Sequence, residues 1–163
     1  MSRRCYLDIE TTGISRDAYE ITVIGLGFEH GRGVRVVQLV GGGIGDTALV
    51  QALTGVGTIY TYNGRRFDLP FIKSRLHLDL AREFTHRDLM YDCWQGGLKG
   101  GLKRVEERLG ISRQTKGIDG WMAVRLWWDY LNNRNLDALG TLLTYNAEDV
   151  ANLRVLREKL GVD

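Results

Sequence analysis

The segment Tyr6-Leu7-Asp8-Ile9-Glu10 constrains the fold more than any other stretch of this chain. Its apolar residues read as an interior β-strand, and residues two apart on a strand leave the same face. Asp8 and Glu10 are such a pair. Two carboxylates aimed into one apolar interior repel each other and resist ionisation unless a cation lies between them. Taken alone, the pair also fits a solvated strand end, where acids cost nothing. Two further acids bear on the choice. Asp68 follows a strand ending Tyr60-Thr61-Tyr62-Asn63, the place where open α/β sheets hold ligands, while Leu69-Pro70 behind it equally marks a helix N-cap. Asp149 lies four residues after Tyr145 on a helical stripe with Leu142, Leu153 and Leu156, so both point into the fold. Glu148, one position off that stripe, is expected to face solvent. Four carboxylates therefore turn inward (Asp8, Glu10, Asp68 and Asp149), with no basic residue beside them on the same faces. A divalent cation resolves that conflict. Oxygen-only ligands suit Mg²⁺ or Mn²⁺ rather than zinc, which prefers His or Cys.

The remaining pattern supplies a scaffold. Alternation predicts further strands over 20–28, 34–40 and 57–62, with Gly31 and Gly33 placing a hairpin between the first two of these. The run Gly41 to Gly45 lacks the lysine and Ser/Thr of a phosphate loop and reads as a flexible turn. Asp46 or Thr47 is then expected to cap a short helix carrying Leu49, Val50 and Leu53. From Leu69 onward the spacing becomes helical: Phe71, Ile72 and Leu76; Leu98, Leu102, Val105 and Leu109, closed by Gly110; and a last helix through Leu160. Strands first and helices after give an α/β fold with a mixed sheet flanked by helices. The length of 163 residues fits a single domain over 1–163. No apolar run approaches a membrane span. Two cysteines make no disulfide framework, and Met1-Ser2-Arg3-Arg4 leaves no room for a signal peptide before the first strand, so a cytoplasmic location is expected. The three histidines (His30, His77 and His86) fall outside the acidic segments, and no Ser-His-Asp or Cys-His constellation is present.

With these residues in hand the chain resembles a known group. Leu7-Asp8-Ile9-Glu10-Thr11-Thr12-Gly13 is similar to the first motif of the DEDD 3′–5′ exonucleases, a branch of the ribonuclease H-like fold. Asn63-Gly64-Arg65-Arg66-Phe67-Asp68 resembles their second motif in the form used by proofreading domains of family-B DNA polymerases. Tyr145-x-x-x-Asp149 resembles the third motif of the tyrosine subclass, DEDDy. Leu102 to Ile111 and Asp149 to Leu153 look like the stand-alone YprB-like group. The resemblance spans nearly the whole chain, and it rests on three motifs in the right order and spacing.

The resemblance implies a ribonuclease H-like mixed five-stranded sheet, its first three strands antiparallel, flanked by helices. It implies two divalent ions, Mg²⁺ or Mn²⁺, about 3.5–4 Å apart, clamping the attacking and leaving oxygens of a phosphodiester. By carry-over Asp8, Glu10 and Asp149 hold the first ion, Asp8 bridges to the second, Asp68 acts through water, and Tyr145 orients the attacking water. Thr11, Asn63, Phe67, Arg65 and Lys103 are the expected substrate contacts. Arg65 and Arg66, with Lys99, Lys103 and Arg104, would meet a phosphate backbone or form a solvated basic face. The formal charge of +2 includes the four inward acids, so the rest of the chain is more basic than the total implies. Trp121, Met122, Trp127, Trp128 and Tyr130 cluster ahead of the last helix and read as core or interface more readily than as base-stacking groups. The expected activity is metal-dependent 3′–5′ exonucleolytic hydrolysis of single-stranded nucleic acid, DNA slightly before RNA. A non-catalytic nucleic-acid-binding module on the same fold, or a structure-dependent endonuclease, is the alternative.

Overall fold

A computed structural model describes residues 3–163; Met1 and Ser2, placed by the sequence ahead of the first strand, lie outside the described residues. The chain forms a five-stranded mixed sheet in the order β3-β2-β1-β4-β5. The central strand β1 (Arg3–Thr11) runs antiparallel to β2 (Ile21–His30), which pairs antiparallel with β3 (Gly33–Val40). On its other side β1 runs parallel to β4 (Val56–Thr61), and β4 runs parallel to β5 (Thr85–Asp88). The first three strands are antiparallel, as expected. Strand β2 is buried at every position from Ile21 to Phe28, which is why its sequence is a continuous apolar run with glycines instead of an alternation.

Alternation along β1 sorts its side chains into two layers. Cys5, Leu7 and Ile9 join one core with Leu49 and Leu53 from α1 (Asp46–Ala52) and its C-terminal end, and with Leu69, Phe71 and Ile72 from α2 (Asp68–Leu76). Leu80 of the short α3 (Leu80–Glu83) closes that layer. Tyr6 joins the opposite core with Leu89 and Cys93 of α4 (Leu89–Gln95), Val105 of α5 (Leu102–Leu109), and Val150, Leu153 and Leu156 of α7 (Leu136–Leu160). Asp8 and Glu10 are in phase with Tyr6, so they face α7. A third apolar group packs Val23 against Ala123 and Trp127 of α6 (Gly120–Asn133) and against Leu142 and Tyr145 of α7.

Two glycines on β2 let α7 come close enough to matter. A Cβ on Gly25 would lie 2.3 Å from Oδ1 of Asn146, and one on Gly27 would lie 2.5 Å from Cγ1 of Val150. Any larger residue at either position forces Asn146 or Val150 of α7 to shift.

Several local expectations change. Strand β5 is four residues, Thr-His-Arg-Asp, with no apolar alternation to announce it. Gly41–Gly43 form one turn of 3₁₀ helix instead of a flexible turn. Helix α1 is preceded by Gly45 as N-cap, with Asp46 inside the first turn, so neither Asp46 nor Thr47 is the cap. Cys5 and Cys93 are free and buried. Among the described residues no helix is long and apolar enough to cross a membrane.

Candidate active site

The C-terminal half of β1, the start of α2 and the middle of α7 meet at one cavity of about 630 Å³. Carboxylate oxygens of Asp8, Glu10 and Asp149 approach within 4.8 Å of one another there. Glu10 and Asp149 are buried, and Asp8 is partly so. Asp68 is buried and lines the same cavity but lies outside this group of three. Its role differs from the N-cap expectation. The parallel pairing of β1 with β4 ends at Tyr6, and beyond it the Ile9 N–H donates to Oδ1 of Asp68 at 3.0 Å. Asp68 thereby ties the start of α2 to β1, and α2 has no side-chain cap.

The electrostatics follow from this crowding. Burial, then the charges of Asp149, Glu10 and Asp68, pushes the Asp8 carboxyl well above the usual carboxylate range. Burial with Asp149 and Asp68 does the same to Glu10. Burial lifts Asp68 to about 7, with the Ile9 N–H pulling the other way, and lifts Asp149 to about 6 against the pull of Arg113. Tyr145 is raised by burial and by the three nearest carboxylates, so it stays protonated. Its oxygen accepts from Lys103 Nζ at 2.7 Å, which leaves its own hydrogen free to donate into the cavity.

Basic residues do approach the acids, contrary to the expectation that none would. Arg113, from the loop after α5, donates through Nη2 to Oδ1 of Asp149 at 2.5 Å. The same guanidinium binds the buried Glu106 in a bidentate pair at 2.8 Å for both bonds. Lys103 is turned inward as well, donating to Tyr145 and to the Ile118 carbonyl instead of standing with the exposed basic residues. Glu148 is not a solvated group: it accepts from the backbone N–H groups of Gln114 at 2.7 Å and Thr115 at 3.0 Å and so holds the loop that carries Arg113.

The other expected contacts are distributed as follows. Thr11 and Phe67 line the cavity, but the Thr11 hydroxyl donates to the Gly13 carbonyl at 2.7 Å. Asn63 lines it too, in a left-handed turn at φ 62°. Its N–H donates to Oδ1 of Asp88 at 2.7 Å, and the Arg65 N–H donates to Oδ2 at 3.0 Å. Arg65 itself projects to solvent. Asp88, at the end of β5, whose place the sequence pattern does not locate, is thus the anchor of the 63–65 turn. Nothing in its local sequence signals this.

Asn146 is the most consequential residue the sequence did not single out. It donates through Nδ2 to Oδ2 of Asp8 at 3.1 Å, and its Oδ1 accepts from Gln38 Nε2 at 3.0 Å. Gln38 also donates to the Leu143 carbonyl at 2.8 Å, so the amide of Asn146 is oriented from behind. Its place beside Tyr145 in the third motif was the available signal.

These residues fit a metal. The converging donors are all carboxylate oxygens, they are like-charged and buried, and they open on a cavity; hard divalent cations take such ligands.

Comparison with known proteins agrees with the architecture. A family model described as the RNase_H superfamily matches residues 5–161. The Bacillus subtilis (strain 168) protein YprB, described as uncharacterized, is 31% identical over 163 residues, covering 91% of this chain and 39% of that protein. The chain therefore spans well under half the length of this relative. The family B DNA polymerase from the hyperthermophilic archaeon Pyrobaculum calidifontis superposes with a TM-score of 0.73 at 19% identity, over 98% of this chain and 24% of that one. A nuclease in its apo form gives 0.61 at 22% identity, over 96% and 70% of the two chains. Brucella melitensis NrnC gives 0.51 at 18% identity, over 97% and 83%. At these identities the likeness to solved structures is one of fold. With a family model matched from residue 5 to residue 161, this chain belongs to the ribonuclease H superfamily.

Proposed function

We propose that this chain is a divalent-metal-dependent 3′–5′ exonuclease acting on single-stranded nucleic acid, DNA in preference to RNA. The observation that carries the reading is the convergence of Asp8, Glu10 and Asp149 within 4.8 Å, with the Tyr145 hydroxyl on the same cavity. Asp8, Glu10 and Asp149 would hold one Mg²⁺ or Mn²⁺, and Asp8 and Asp68 would serve a second. Such ions lower the pKa of the attacking water and neutralise charge on the leaving oxygen.

The chain's own groups do the rest. Tyr145, held by Lys103, donates its hydrogen toward the attacking water and fixes its direction. Asn146 and Arg113 keep Asp8 and Asp149 oriented. The water gives up one proton to solvent as its oxygen bonds to phosphorus, the bond from phosphorus to the 3′ oxygen breaks, and that oxygen takes up a proton from solvent. A nucleoside 5′-monophosphate leaves, and the strand keeps a new 3′-hydroxyl. The direction and the preference for DNA rest on the order and form of the three motifs.

The test uses a single strand labelled at its 3′ end, the same strand labelled at its 5′ end, and a circular strand, each with Mn²⁺. Release of labelled mononucleotide first from the 3′-labelled strand, lost in Asp149→Asn, is the expected result. Cleavage of the circle would make the protein an endonuclease. Binding without any metal-dependent product would make it a non-catalytic module.

A further inference from the structure

The cavity lining is of two unlike kinds. Besides the carboxylates it includes Ile14 from the turn after β1, Phe67 before α2, and Trp121 and Val124 from α6. Large exposed hydrophobic side chains gather there. Among the described residues the three most exposed are Ile14 at 88%, Trp121 at 74% and Leu136 at 71%, and the first two line this one cavity. Packing does not account for Trp121. Trp127, on the same helix, is buried beside Gly41 with its ring 5.5 Å from that of Tyr130, whereas Trp121 leaves its indole open. Of the three tryptophans on α6, Trp127 packs, Trp121 lines this cavity, and Trp128 is exposed away from it with Met122.

The position of Trp121 is fixed. It is the second residue of α6, whose start is set by Asp119 Oδ1 accepting from the Met122 N–H at 2.8 Å. Lys103 ties that start to the site, because one ammonium group donates both to the Ile118 carbonyl and to the Tyr145 hydroxyl. A planar apolar surface therefore lines the same cavity as the acids, on a helix whose start is tied to the residue that also holds the tyrosine.

We propose that Trp121 is the stacking platform for one unpaired nucleobase next to the scissile phosphate, in the cavity it shares with Phe67 and Ile14. The inference rests on the phosphodiester-hydrolase reading of the site and names its substrate class more closely. A nucleotide has a charged half and a flat apolar half, as the cavity does. With the phosphate drawn to the acids through cations, the base falls on the apolar part of the lining. Stacking on an indole requires a free face, so the base must be out of its duplex, and every base presents such a face, so sequence matters little. The cavity, about 630 Å³, is of the size that takes a small-molecule-sized group.

The experiment measures binding of decathymidylate to the full chain by fluorescence anisotropy in Ca²⁺, beside steady-state cleavage in Mn²⁺. Trp121→Ala is expected to weaken binding on the order of tenfold and to raise KM similarly, with kcat within about twofold; Trp121→Phe should recover most of it. Abasic strands supply the second measurement. Removing one base near the 3′ end should weaken binding to the wild type about tenfold yet leave binding to Trp121→Ala unchanged from the intact strand. Equal losses for both proteins at every abasic position, or a wild type that binds no strand, would overturn the proposal. Strand binding that depends on Trp121 without cleavage would sink the nuclease reading and leave the platform standing. Cleavage with KM unchanged in Trp121→Ala would do the reverse.

Discussion

Helix α7 meets strand β1 at two clusters of charged and polar side chains, and the two are built on opposite principles. Near the end of the helix Arg157 donates to the Tyr6 hydroxyl at 2.7 Å and to Glu29 at 3.2 Å, while Tyr6 donates to Glu29 at 2.8 Å. Positive and negative groups there answer each other. Two turns earlier Asp149 joins Asp8 and Glu10, and acids outnumber cations. Arg113 serves Glu106 and Glu148 as well as Asp149, and Lys103 is engaged with Tyr145 and Ile118. The same helix and strand pair their charges in one place and leave them in excess in the other. The excess therefore belongs to the site, where the proposed cation would offset it.

The largest effect should come from removing a converging carboxylate. Asp8→Asn is expected to lower Mn²⁺-dependent cleavage on the order of 10²–10³-fold or more in single-turnover assays. Arg157→Met, at the balanced cluster, should leave kcat unchanged.

Next in size is the coupling of pH, metal and stability. The carboxyls of Asp8, Glu10, Asp68 (about 7) and Asp149 (about 6) all titrate higher in the folded protein than in an unfolded chain. The folded state then binds more protons, so this stabilising contribution is full below about pH 4 and is lost as pH rises through 6 and 7. The metal-free Tm should fall over that window. Saturating Mn²⁺ at a hundredfold excess over its Kd should add about 2.7 kcal/mol at pH 8, or roughly 5–10 °C, and much less at pH 5. A Tm that rises with pH in EDTA would break the comparison.

A smaller loss is expected at Asn146, which orients Asp8 without converging on the ion. Asn146→Ala should weaken Mn²⁺ binding about 10–100-fold by calorimetry. The smallest effect on the site belongs to Arg157→Met, which should cost about 1.5–3 kcal/mol in urea unfolding and leave Mn²⁺ affinity where it was. A shift in that affinity would show that the two clusters are coupled.

The contrast also marks what the sequence could convey. Asp8, Glu10, Tyr145 and Asp149 were legible because each stands on a regular element whose period, two or nearly four, assigns its face. Strand β2 was legible for another reason, as an apolar run followed by the turn glycines Gly31 and Gly33. Arg113 and Asp88 were not, since one lies in a loop and the other ends a four-residue strand without alternation, and their partners come from distant segments. Lys103 had the right helix but the wrong expected direction: burial beside Tyr145 outweighed the preference of a lysine for water. Gly25 carries the plainest lesson. On paper it weakens a strand, yet it leaves the room that Asn146 fills.

The central claim is that the charge excess at Asp8, Glu10 and Asp149 is a divalent-cation site. Calorimetric titration of Mn²⁺ at pH 7 in two buffers of different ionisation enthalpy tests it most directly. The predicted result is saturable binding accompanied by proton release, because the ligands are partly protonated beforehand, with both lost in Asp8→Asn. An isotherm that shows no binding, or one identical in wild type and Asp8→Asn, would contradict it.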